Sequence, residues 1–298
     1  MKVLVAGRSG LAVRLRSRLG LRHDLVSVDG PAIQPDAYGP TLAGAQVLVL
    51  VLDQGGEEGE LLERDLKGSQ ALLHAFTGWG APALLVMVST ALLADQEPID
   101  PDVPLTRYGS AWLATRAAVE ARCLHLSRQL DLATLVVRAG HVHGADDVAG
   151  GALEPRLAAV RTAAESGQEL ALAGLEIALP FVHADVLVDA LFERIAGKPL
   201  PGEQVLTDRF SRVDAVGAVW SLAQLHDAQA QLAGKPAWRK ELATKGPGLT
   251  SRLIGSIVRS KAPELVPEYV KRAPLRRAPR AWRKAFGDRD LAQDAGGI

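Results

Sequence analysis

A tight turn close to the N-terminus is the first feature with clear chemical potential. The apolar run Lys2–Ala6 predicts a strand, Gly7 and Gly10 bracket a turn, and residues 11–19 predict an amphipathic helix. A helix that begins after such a turn directs backbone N–H groups at an anion, as in the pyrophosphate sites of dinucleotide-binding proteins. The candidate cofactor-binding residues here are Gly7, Arg8, Ser9, Gly10 and Leu11.

The residues around the turn indicate which dinucleotide it would hold. Asp29 follows the predicted strand 24–28, where a carboxylate hydrogen-bonds the adenosine ribose and favours NAD. Arg8 could instead meet the 2′-phosphate of NADP, which is the alternative cofactor. Val13 replaces the third glycine that lets helix and strand pack closely, so we expect it to push them apart. The alternative is that the whole turn keeps an inherited shape but no longer binds a dinucleotide.

The elements that must position this turn alternate between short apolar runs and helical ones. The pattern predicts a parallel sheet wound on both faces. Past Lys198 it weakens into segments that we interpret as helical and punctuated by proline. The predicted strands are 24–28, 47–52, 83–88, 132–138, 169–172 and 178–183, and the predicted helices are 58–76, 112–130 and one that starts near Asp185.

Composition limits the classes of partner. The 298 residues carry 34 basic and 34 acidic side chains, and there is one cysteine. We therefore expect a cytoplasmic protein with no disulfide framework, no affinity for nucleic acid and no membrane anchor. From Lys235 onwards, 15 basic residues stand against 6 acidic ones, and seven of the cations lie in 271–284. This basic tail could meet a nucleotide diphosphate or an acidic partner, or could simply be a solvated face.

Five stretches of the chain follow one another in the order of a known set of motifs. Together they resemble the extended short-chain dehydrogenase/reductases of the NAD-dependent epimerase/dehydratase type. The resemblance implies a Rossmann-like α/β domain over 1–200, to which 201–298 adds a smaller, mostly helical substrate lobe that also takes in 145–175. The stretches are VLVAGRSGLAV (3–13), DLKGSQALLHA (65–75), VMVSTALLAD (86–95), VRAGHVHG (137–144) and FVHADVLVDAL (181–191).

The family's catalytic pair is a Tyr-x-x-x-Lys, which the resemblance places at YGSAWLA (108–114). Tyr108 would move a proton at the substrate oxygen, and Thr90 would orient the substrate. Trp112 stands in the lysine position, where an indole cannot supply a charge. Arg116, one turn further, could supply it. Thr90 could equally satisfy backbone groups at a strand end, and Tyr108 could be a packing residue with a solvated hydroxyl.

Three functions remain open on these residues. The first is an NAD(P)-dependent enzyme that acts on a carbonyl or hydroxyl compound such as a sugar nucleotide. The second is a dinucleotide sensor or scaffold without turnover, and the third is an enzyme that uses the pocket without a hydride step. His141 and His143 lack a third ligand at useful spacing, so we expect no metal site. The Ala-rich helix 112–130 would permit a homodimer, and the short connection 30–46 predicts an abbreviated adenine side.

Overall fold

Apolar strands assemble into one seven-stranded sheet that positions the candidate site. Every neighbouring pair of strands is parallel except the last, so the carboxyl ends of the first six strands in the spatial order meet at one edge. The spatial order is β2 (Asp24–Val28), β1 (Lys2–Ala6), β3 (Val47–Val51), β4 (Leu84–Thr90), β5 (Ala133–Ala139), β10 (Phe210–Ala215) and β9 (Gln204–Thr207).

Helices cover both faces of this sheet. On one face lie α1 (Gly10–Leu19) and α6 (Ala184–Ile195), and on the other lie α3 (Ser69–Trp79) and α4 (Ala111–Leu130). A π-helical segment, Leu61–Gly68, runs directly into α3. Each face therefore has its own apolar core, and the predicted doubly wound α/β architecture is confirmed.

A smaller layer adjoins the sheet. It contains a three-stranded sheet, two helices packed on each other and a parallel two-stranded ribbon, with an apolar core of its own. The strands are β6 (His141–His143), β8 (Ala178–His183) and β11 (Ala218–Ser221), the helices are α5 (Glu154–Ser166) and α7 (Leu222–Leu232), and the ribbon is β7 (Leu170–Leu172) with β12 (Arg239–Glu241).

The interpretation of the chain past Lys198 as helical segments punctuated by proline holds for α7 but missed the strands in this part of the chain. Strands β9, β10 and β11 lie there, and β10 pairs with β5 inside the main sheet. The division of the chain near residue 200 stays a prediction, with the addition that 204–215 belong to the main sheet.

The computed structural model describes residues 1–28, 39–52, 61–93, 111–144, 153–172 and 174–242. Asp29, Tyr108 and the basic tail 271–284 lie outside these ranges. Between β2 and β3 the described chain holds a single helical turn, α2 (Gly39–Leu42), and β2 is the edge strand. Among the described helices, none combines the length and hydropathy needed to cross a membrane.

Candidate functional site

The glycine turn between β1 and α1 leaves no room for a side chain at its first residue. Gly7 has φ +148°, a conformation that side chains disfavour. A Cβ there would lie 2.5 Å from the carbonyl oxygen of Val51 and 3.2 Å from the Cβ of Ala12. The Gly7 N–H donates to the carbonyl of Val28 at 3.0 Å, which fixes the turn to the end of β2.

The N-terminus of α1 has the features of an anion site. Ser9 precedes the helix in an extended conformation and makes no side-chain cap bond. Its Oγ is buried and has no hydrogen-bond partner among the described residues. The first helical bond runs from the Val13 N–H to the Ser9 carbonyl, so the N–H groups before Val13 have no partner within the helix. Together with the side-chain-free surface at Gly7, these donors fit a pyrophosphate.

Val13 does not separate the helix from the sheet, so that expectation was wrong. Its side chain is 44% exposed, whereas α1 packs on the sheet through Leu11, Ala12 and Leu15. The close approach to Gly7 is made by the small side chain of Ala12. Arg8 is exposed in the turn and Gly10 is buried as the first residue of α1.

Arg16 is a residue of this turn that the sequence analysis missed. Its guanidinium donates to the carbonyls of Gly7 and Val28, the latter at 2.9 Å. It therefore joins the carboxyl ends of β1 and β2 beneath the turn. Its position on the inner side of an amphipathic helix was the available signal, although a lone arginine there does not reveal its partners.

Thr90 is buried at the carboxyl end of β4, on the same sheet edge as the glycine turn. Its register partner is Ala139 on β5. The chain then enters a short turn, Ala91–Leu93, whose last carbonyl accepts a hydrogen bond from Arg138. Arg138 also forms a buried ion pair with Glu120 of α4 at 2.9 Å. This pair, unpredicted from the sequence, ties the segment after Thr90 to β5 and α4.

Arg116 is buried rather than facing an open site. It forms an ion pair with Asp65 at 3.4 Å, and the two side chains are only 1% and 3% exposed. The backbone of α4 places Trp112 one turn before Arg116. A carboxylate therefore offsets the charge of the cation that could replace the missing lysine.

Three imidazoles gather where β6 and β8 pair, just beyond Ala139. His143 and His183 are register partners whose rings meet edge to face at 5.1 Å, and His141 lies 5.7 Å from the ring of Phe181. Burial lowers the pKa of His141 to about 4, so this ring is neutral at neutral pH. Across the described ranges, no three His, Cys, Asp or Glu side chains are grouped as metal ligands.

His141 should make stability depend on pH between about 6.5 and 4. In that window His141 is protonated in the unfolded chain but neutral in the folded protein, so acidification lowers the free energy of unfolding. The shift to about 4 corresponds to roughly 3 kcal/mol at its limit. Urea unfolding at pH 7 and pH 4.5 should show a smaller loss in His141→Gln than in the parent. His125→Gln, at an exposed position of α4, is the control. An unchanged loss in His141→Gln would contradict the assignment.

With the geometry in place, comparisons with known proteins give the family. The model of the NAD dependent epimerase/dehydratase family matches residues 46–199, which is more than half of the chain. The chain belongs to this family. The match begins just before β3, so it includes Thr90 and the β6–β8 pair but not the glycine turn. A comparison with curated protein sequences finds no match.

Solved structures of other proteins share the fold of this epimerase/dehydratase family member. UDP-glucose 4-epimerase of Thermus thermophilus in complex with NAD is 16% identical, with a TM-score of 0.60 over 83% of this chain and 88% of that one. The dTDP-glucose 4,6-dehydratase of Bacillus anthracis with NAD is 14% identical, with a TM-score of 0.60 over 82% and 85%. RMD from Pseudomonas aeruginosa with NADPH is 15% identical, with a TM-score of 0.59 over 81% and 86%.

Proposed function

We propose that this family member binds NAD(H) at the glycine turn and acts on a carbonyl or hydroxyl group of a sugar-nucleotide-like substrate. NADP(H) is the alternative cofactor. The observation that carries the proposal is the cradle that Gly7 forms with the buried Ser9 hydroxyl at the start of α1, a hydroxyl with no hydrogen-bond partner in the described part of the chain. It lies on the sheet edge that also carries Thr90. Structural neighbours solved with NAD, NADPH or UDP-glucose support it.

Each candidate residue has a distinct part in this proposal. Gly7 and Gly10 admit the pyrophosphate, Ser9 and the first N–H groups of α1 bind it, and Leu11 packs beneath. Arg8 and Asp29 would contact the adenosine ribose or its phosphate. The bound nicotinamide would supply hydride exchange.

At the substrate end, Thr90 would orient the substrate oxygen by a hydrogen bond, and Tyr108 would hold or move its proton. The substrate would lie between this edge and the layer that contains α5 and α7. A homodimer through α4 stays part of the proposal.

A second candidate is a dinucleotide-binding sensor or scaffold without turnover. The Asp65–Arg116 ion pair favours it, because the nearest replacement for the lysine charge is neutralised and buried. Tryptophan in the lysine position would leave the Tyr108 hydroxyl without the cation that family members use.

Calorimetric titration with NAD, NADH, NADP and NADPH tests the proposal. We expect one of them to bind, and Ser9→Ala to weaken it about tenfold, because a hydrogen bond to a charged group is lost. Ser17→Ala is the matched control on α1, since the Ser17 residue is exposed and its hydroxyl donates to the Val13 carbonyl of the same helix. Binding by none of the four, in a folded sample, would refute both candidates. Tight binding without turnover of carbonyl substrates would favour the sensor.

A further inference from the structure

Two helices that start near the candidate site are joined by a repeated ion pair. Arg14 of α1 meets Asp185 of α6 at 2.7 Å, and Arg18 meets Asp189 at 3.1 Å, four residues later on both helices. The helices therefore run side by side in the same direction. Helix α1 begins at the glycine turn, and α6 begins directly after β8.

Asp185 also contacts His183, in addition to its ion pair. Asp189 shows only its ion pair with Arg18 among the described contacts. Asp185 lies in the first turn of α6, and its backbone N–H donates to Nδ1 of His183 at 3.2 Å. Its carboxylate is 3.9 Å from the same nitrogen. Because Nδ1 accepts a hydrogen bond, the neutral ring of His183 carries its proton on Nε2.

The far side of the His183 ring supports the end of β6. Gly144 has φ +77°, and a Cβ at that residue would overlap Nε2 of His183. The ring also packs edge to face on His143, its register partner. Strand β6 continues from β5 only two residues past Ala139, which lies beside Thr90. The ring of His183 thus lies against the end of β6, the strand that follows the Thr90 edge of the main sheet.

We propose that Asp185 is a positioning residue that holds α1, the cofactor helix, and the substrate side of the site in one arrangement: its carboxylate pairs with Arg14, and its backbone N–H, in the first turn of α6, holds the ring of His183. This inference rests on the proposed function, which assigns the dinucleotide to α1. The ion pair is partly exposed, with 28% and 44% of the two side chains accessible, so it contributes little to stability. Its effect is on geometry.

Asp185→Asn and Asp189→Asn form a matched pair for the test, because each removes one α1–α6 ion pair with little change in shape. Imidazole resonances are followed by NMR as NADH is added, and His183 is assigned from the spectrum of His183→Gln. We expect NADH to shift the His183 resonances in the parent and in Asp189→Asn. In Asp185→Asn and Arg14→Gln the shift should fall at least about threefold. Equal shifts in all four proteins would overturn the proposal.

A second readout needs no cofactor and separates this inference from the proposed function. Amide hydrogen exchange at residue 143 should be about threefold faster in Asp185→Asn than in Asp189→Asn, because loss of the ion pair with Arg14 loosens the first turn of α6, whose backbone N–H holds His183. Equal exchange in the two variants would overturn the positioning role. Failure of the parent to bind NADH, with the exchange difference intact, would instead reject the proposed function and leave the structural link standing.

Discussion

Gly7→Ala is expected to destabilise the protein by about 3 kcal/mol and to abolish dinucleotide binding. The added Cβ would lie 2.5 Å from the carbonyl oxygen of Val51. That oxygen cannot retreat easily, because Val51 is buried and is paired with Val88 of the neighbouring strand β4. Relief would have to come from moving the turn, and with it the N–H groups that would bind the pyrophosphate.

Gly44→Ala is the control that separates the effect of backbone strain from the effect of the close contact between the new Cβ and Val51. Gly44 also has a positive φ, +72°, but a Cβ there would meet no atom of the described residues within 4 Å. We expect it to cost about 1 kcal/mol and to leave the affinity for the dinucleotide unchanged. Urea unfolding and calorimetric titration of both variants measure the two effects. If Gly7→Ala behaved like Gly44→Ala, the close approach of Val51 would not matter in solution.

The sequence predicted those elements whose burial leaves an apolar pattern. Val47–Val51 is buried at every residue, and its uninterrupted apolar run predicted a central strand correctly. Strand β9 failed to produce such a pattern, because three of its four residues are exposed at the sheet edge. Strand β10 interrupts its apolar positions with Ser211, Arg212 and Asp214, although most of it is buried. Its place beside β5 depends on partners about 76 residues away, as with Phe210 and Thr134.

In the candidate site, too, features set by neighbouring residues were predictable, whereas contacts between residues distant in the sequence were not. The glycine turn could be predicted because its conformation is set by neighbouring residues. The prediction for Val13 was wrong because spacing alone does not say which side of a helix faces the strand. Ala12, not Val13, faces the strand in the structure. The contact of Gly144 with His183 spans some 39 positions and left no local signal. The roles of Asp29 and Tyr108 stay predictions.

The buried pair of Arg138 and Glu120 should have the second large effect. Each side chain is at most 3% exposed, and the guanidinium contacts the carboxylate through Nε and Nη2, at 3.1 and 2.9 Å. Arg138→Met would leave the Glu120 carboxylate buried without its cation and the Leu93 carbonyl without its donor. We expect a loss of about 3–5 kcal/mol in the free energy of unfolding.

A double-mutant cycle shows whether this loss of stability comes from a buried charge left without its partner or from the lost attraction between Arg138 and Glu120. Arg138→Met with Glu120→Leu removes both charges, and we expect it to recover at least about half of the loss, because neither charge of this pair is then buried without its partner. Arg209→Met is the control: Arg209 and Asp131 are joined by two bonds of 2.8 Å but are 51% and 74% exposed. That change should cost at most about 1 kcal/mol. Urea unfolding at pH 7 is measured for the parent, Arg138→Met, Glu120→Leu, the double variant and Arg209→Met, and a double variant no more stable than Arg138→Met alone would contradict the buried-charge explanation.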